Sequence, residues 1–260
     1  LAPGAENGPP YGNLSITGAV PVGSAEFRFD IGGGAPGSFE SVSVGGSTRF
    51  SASVNSTLRL RLAPGFEPAL NTVFPLLTYA SVLTEFDEPI VNLVESNYAL
   101  DWATRFTPTV LEVFPAPRIT IEDASLIEGN VGTATMTFAV RLSRPSTQTV
   151  TAKVVKNPFG TATDGPPPNG DYLASDVGQT VMFAPGEVLK PVTAQISGDL
   201  TVEADEAFTF DLLRHNVQNA AFGNGVRGKR SAAGTIIRPT ARSVPKAWKP
   251  PTRLSTTSAM

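Results

Sequence analysis

Cysteine is absent from the 260 residues. Disulfides, thiolate metal centres and a cysteine nucleophile are thereby excluded. With no cross-links the fold must rest on an apolar core, and a chain of this length can bury one unaided. Missing cysteine also favours a bacterial surface protein over a secreted animal one, where disulfides are common. No apolar run reaches the roughly 18 residues that a membrane-spanning helix needs, and no secretory signal precedes residue 11. Helix-forming runs of Ala, Leu, Glu and Lys are missing too. The chain opens on Leu1 rather than Met and reads as a piece of something longer.

What is present points to strands and turns. Glycine (24) and proline (23) are abundant, only 17% of residues are charged, and Thr, Val and Ser are frequent. That composition predicts an all-β protein. The net charge of −3 conceals an asymmetry. Residues 1–117 carry 11 acids and 5 bases, residues 118–211 carry 12 acids and 6 bases, and residues 212–260 carry 9 bases and no acid. Two acidic segments therefore precede a basic tail.

Residues 1–10, "LAPGAENGPP", read as a linker. Short alternating strands follow: "NLSITG", "AEFRFDIGGG", "ESVSVGGS", "TRFSASVN" and "TLRLRLAPGF". Phe27, Phe29 and Ile31 alternate with polar residues, as do Leu58, Leu60 and Leu62, which is the pattern of a half-buried strand. Glycine pairs are expected to close several strands. "FPLLTYASV" reads as a buried strand, and "YALDWATRF" and "TVLEVF" complete the segment. "PAPR" at 115–118 marks a boundary, because its prolines cannot donate ladder hydrogen bonds. The order of these motifs over residues 11–117 resembles the last rungs and cap of a parallel β-helix from autotransporter-like exported proteins. A β-sandwich or jelly roll satisfies the strand pattern equally.

From Arg118 the strands become "RITIED", "TATMTFAVRLS", "QTVTAKVVK", "QTVMFAPGE", "KPVTAQISG", "EAFTFDLL" and "GTIIR". Seven strands spaced about 12 to 20 residues apart predict an immunoglobulin-like sandwich. The ordered elements "EGN", "GDY", "FAPGE" and "D-x-x-x-E-x-D-E-x-F" make residues 118–237 resemble a Calx-β domain. Such domains occur in sodium/calcium exchangers, integrin subunits and bacterial repeat arrays. After Ile237 the resemblance stops. The family's usual terminal acidic pair is replaced by "RPTARSVPKAWKPPTRLSTTSAM", a basic tail over residues 238–260 that is expected to be disordered. A shifted reading frame near residue 238, or a truncated gene end, would account for the change.

The resemblance implies calcium ligands. Calcium takes six to eight oxygens, usually from several carboxylates. By position in the motif these are Glu128, Asp171, Asp199, Glu203 and Glu206, with Asp205 between the last two turned elsewhere. Two departures stand against a full site. "SGDL" offers Gly198 where calcium-binding members have a second aspartate. The terminal aspartates fall at Arg238 and Pro239, where an arginine is expected to repel the ion. What remains implies a weak site, with affinity of about 10⁻⁴ to 10⁻³ M.

Other chemistry has less to stand on. "TEFDEP" offers Glu85, Asp87 and Glu88, yet it reads as a polar loop rather than a glycosidase pair, whose carboxyls stand roughly 5 to 9.5 Å apart. His215 reads as a loop histidine after a strand, with no nucleophile motif around it. "GGGAPG" at 32–37 lacks the helix and Lys-Ser/Thr of a phosphate loop. Trp102 and Trp248 do not make a stacking platform, and the tail's bases lack a fold for reading nucleic acid. The expectation is therefore a non-enzymatic, extracellular or cell-surface fragment of a bacterial adhesion protein. It would meet neighbouring repeat domains, or a cell-surface protein or glycan, and would bind no nucleic acid. The alternative is the non-catalytic C-terminal part of a β-helix polysaccharide lyase or glycoside hydrolase.

Overall fold

The computed structural model describes residues 11–22, 26–50, 56–84, 91–95, 101–157, 159–166, 169–174, 178–200, 204–222 and 229–238. Among them every regular element is a strand, and no helix is long and apolar enough to cross a membrane.

Among the described residues nine strands build the first half: β1 (Asn13–Ile16), β2 (Val20–Val22), β3 (Glu26–Ile31), β4 (Ser41–Phe50), β5 (Ser56–Leu62), β6 (Phe74–Thr84), β7 (Val91–Glu95), β8 (Trp102–Phe106) and β9 (Val110–Pro115). Their pairing is mostly parallel. β1 and β2 lie alongside β4, which lies alongside β6. In a second sheet β3, β5 and β7 run parallel in that order. Asn13 faces Ser41 and Phe27 faces Leu58, so the chain returns to the same place after each circuit. β9 then pairs antiparallel with β6 and carries β8 on its other edge.

The alternating residues do what their period dictates. Phe27, Phe29 and Ile31, together with Leu58, Leu60 and Leu62, are buried in one core with Val42, Val44, Phe74 and Leu76. Each such side chain contributes about 1.5–3 kcal/mol by leaving water. "VGGS" does not close a strand. β4 continues through it as one ten-residue element, and the register slips between Val44 and Ser47. Gly46 is required there, since a Cβ would stand 2.4 Å from the backbone carbon of Gly18.

Among the described residues ten strands build the second half: β10 (Arg118–Ile121), β11 (Ala124–Ile127), β12 (Thr133–Leu142), β13 (Val150–Asn157), β14 (Tyr172–Leu173), β15 (Gln179–Phe183), β16 (Leu189–Ser197), β17 (Glu206–Gln218), β18 (Ala221–Phe222) and β19 (Ser231–Ile237). One sheet has the order β14-β16-β12-β10-β18 and the other β11-β19-β17-β13-β15. A core of inward-facing residues from both sheets lies between them, as in a β-sandwich. Its centre is aromatic. Phe138 meets Phe210 edge-on at 4.9 Å between ring centroids, and Tyr172 stacks on Phe208 at 4.0 Å. His215 belongs to β17, which runs five residues beyond the "EAFTFDLL" expected from sequence, so it is not a loop histidine.

The halves touch through a small cluster in which Ala103, Phe114 and Ala116 pack with Ala221. Arg118 pairs with Asp101 at 3.1 Å, and the Asn71 side-chain amide donates to Thr147 Oγ1 at 3.0 Å.

Candidate functional site: a carboxylate cluster around Arg238

The site is built by the end of β19. Along that strand Ala232, Gly234 and Ile236 are buried while the residues between them are partly exposed. Arg238 is the next residue in this alternation. Strand geometry therefore aims its side chain inward as well. It reaches the open end of the sandwich and is only 8% exposed.

Four carboxylates meet its guanidinium. Nη1 forms an ion pair with Glu128 Oε2 and stands 3.8 Å from Asp199 Oδ1. Nη2 lies 3.4 Å from both Asp171 Oδ1 and Glu206 Oε2. A fifth acid holds the backbone, since Arg238 N donates to Asp205 Oδ1 at 2.9 Å. Burial pushes the Arg238 guanidinium below its ordinary pKa, yet an arginine remains protonated in a protein. The cluster thus surrounds a permanent positive charge.

Each acid is placed by a different element. Glu128 follows β11 and its N–H donates to Ile237 O at 2.9 Å, which continues the parallel β11–β19 ladder. Its side chain is 2% exposed, and among the described residues the Arg238 guanidinium is the only partner of its carboxylate. Asp171 precedes β14 and is fixed by its own loop, where Oδ2 accepts from Thr163 N at 2.7 Å. Glu206 opens β17, opposite Ile236 of β19. Asp199 follows β16 in a loop that presses on the turn after Glu128. Gly198 N donates to Gly132 O at 2.8 Å, and a Cβ at Gly198 would stand 2.5 Å from Gly129 O. The second aspartate missing from "SGDL" therefore has no room in this chain.

The structure brings Glu128, Asp171, Asp199 and Glu206 together. Glu203 lies outside the described residues, as do Glu85, Asp87 and Glu88 of "TEFDEP", Trp248 and the rest of the tail after Arg238. Trp102 is a core residue packed on Phe74. Asp205 is turned to the strand backbone rather than to the guanidinium.

Sequence reasoning missed Arg238 as a member of the site. The signal was its place in the motif, and it pointed to charge repulsion of a metal rather than to replacement of one. The arrangement does not fit calcium. A metal ion gathers its oxygens at 2.3–2.6 Å from one point, whereas these carboxylates are shared between the two arms of a planar fork already holding the charge. Among the described residues no group of three or more acids or histidines is arranged to hold a metal ion.

Apolar side chains rim this end. Ile127, Val131 and Leu200 are exposed on the loops and strand end that frame the cluster, and Phe159 is exposed on a loop whose Thr161 N–H donates to Ala207 O, beside Glu206.

Comparison with known proteins finds partial likenesses to solved structures. No family model matches the chain, and no curated protein matches it. Among solved structures, the crystal structure of CBD12 from CALX1.2 is 17% identical with a TM-score of 0.36, covering 46% of this chain and 44% of that one. The apo-form Calx CBD1 domain is 16% identical with a TM-score of 0.33, over 48% of this chain and 99% of that one. The ASH/PapD-like domain of human CEP192 is 10% identical with a TM-score of 0.28, over 48% of this chain and 89% of that one. The chain thus spans less than half of the first of these structures, and its neighbours of known structure include two Calx-β domains at low identity and partial coverage.

Proposed function

We propose that this chain is a structural and interaction segment of a bacterial exported surface protein. Residues 11–117 supply the last coils and cap of a parallel β-helix, and residues 118–237 supply a Calx-β-like sandwich that acts as a spacer. The observation that carries the reading is the repeated parallel register of β1-β4-β6 and β3-β5-β7, closed by the antiparallel pair β9 and β8. A stack of coils leaves an open edge at its end, and a differently paired strand covers it.

The partner is met at the far end of the sandwich. Ile127, Val131, Leu200 and Phe159 give that end an apolar rim suited to a neighbouring repeat domain or a cell-surface protein or glycan. Calcium is not part of this reading, because Arg238 already supplies positive charge to the cluster. Antibody raised against residues 118–237 and applied to intact cells making the full-length parent protein tests the role. Labelling of unpermeabilised cells is the expected result, and labelling only after permeabilisation would overturn it. The same parallel ladders suit a second reading, the non-catalytic end of a β-helix polysaccharide lyase or glycoside hydrolase. Cleavage of acidic or neutral polysaccharides by the full-length parent would favour that reading.

A further inference from the structure

We propose that Arg238 is the resident cation of the sandwich's loop end, and that its guanidinium makes this end independent of calcium. The Calx-β resemblance implies a metal here, and the side chains disagree with it. Glu128 is buried with Arg238 as the only partner of its carboxylate among the described residues. Asp171, Asp199 and Glu206 arrive from three other elements on the same two nitrogens. The backbone of Arg238 is held by Asp205, and the residue before it, Ile237, by the parallel β11–β19 ladder, so the charge is positioned before any ligand arrives. Position 198 cannot add a further carboxylate, since a Cβ there would stand 2.5 Å from Gly129 O.

A tethered cation also has a concentration advantage. Short linkage gives an effective concentration on the order of millimolar or above. Free calcium at millimolar level must therefore displace a charge that cannot diffuse away. The end loops are held in one arrangement whether or not calcium is present. This holds equally for a surface spacer and for the end of an enzyme, so it does not rest on the role proposed above.

The test is a thermal melt of the full chain in EGTA and in 10 mM CaCl₂ at constant ionic strength, for the wild type and Arg238→Ala. The sandwich transition of the wild type is expected to stay within about 1 °C. Arg238→Ala is expected to melt lower in EGTA and to be raised by several degrees by CaCl₂, and less by MgCl₂, because the uncovered carboxylates then need an exchangeable cation. Should the variant fail to fold in EGTA, recovery of its β-sheet circular dichroism on adding CaCl₂ counts as the same response. A calcium shift of several degrees in the wild type overturns the proposal. So does an Arg238→Ala variant that calcium neither stabilises nor refolds.

Discussion

The partners of the Glu128–Arg238 pair are unequal, and the inequality is measurable. Arg238 keeps Asp171, Asp199 and Glu206 if Glu128 is lost, whereas the Glu128 carboxylate has no other partner among the described residues. Removing one member of a buried ion pair costs about 3–5 kcal/mol when the survivor is left uncompensated. Arg238→Ala is therefore expected to lose about 3–5 kcal/mol in urea denaturation. Glu128→Ala should lose less, about 1.5–3 kcal/mol, the scale of one charged hydrogen bond. Equal losses would show that the charge is shared more evenly than the contacts indicate. Tyr79 gives a residue-scale prediction of a different kind. Its hydroxyl donates to Thr107 O at 2.9 Å, and burial pushes its pKa up to about 12. The unfolded tyrosine ionises near pH 10. Between those values the unfolded state releases the proton first, so stability falls as pH rises from about 10 to about 12. The loss should be about 2 kcal/mol, and Tyr79→Phe should remove that part of the alkaline slope. An unchanged slope in Tyr79→Phe would assign it to another group.

At the scale of elements, Gly234 shows how tightly the sandwich is filled. A Cβ there would stand 2.6 Å from Phe208 Cζ and 2.7 Å from Phe138 Cζ. Gly234→Ala is therefore expected to cost about 1–3 kcal/mol through overpacking, read as a lower urea midpoint with an unchanged m-value. Strands with strict alternation were legible in the sequence, because the period of two is set by the strand itself. Phe27, Phe29, Ile31, Leu58, Leu60 and Leu62 are all buried. β2, β7, β11, β14 and β18 are not anticipated from the sequence. They are short, and their pairing is supplied by neighbours distant in the chain, such as Gly234 opposite Ala124. Gly45 and Gly46 read as a strand end because glycine usually punctuates, and only the approach of Gly18 shows why the strand passes through. Most of the acids at the site were legible from their motif. The buried Arg238 was not, because its partners Glu128 and Asp171 are brought to it by long-range pairing that no local pattern encodes.

On the scale of the whole molecule, two large cores are joined by one small one. The junction relies on Ala103, Phe114, Ala116 and Ala221 with the Arg118–Asp101 pair. Ala116 is 1% exposed, so an acid there would be buried without a partner. Ala116→Asp is expected to leave both cores able to fold and to separate their melting, so that calorimetry shows two transitions further apart than in the wild type. A single transition lowered as a whole would mean that the halves are one cooperative unit.

The order of strands in the sandwich has a consequence for how the chain is made. β19 lies between β11 and β17, although it follows the other described strands of the sandwich in the chain and so is made after them. Until residues 231–238 emerge, β11 has no partner in its sheet, β17 has one bare edge, and the carboxylate of Glu128 has no counterion. The nascent sandwich therefore cannot close stepwise from its N-terminus. It waits with a slot open in one sheet, and inserting β19 seats the neutralising charge in the same event.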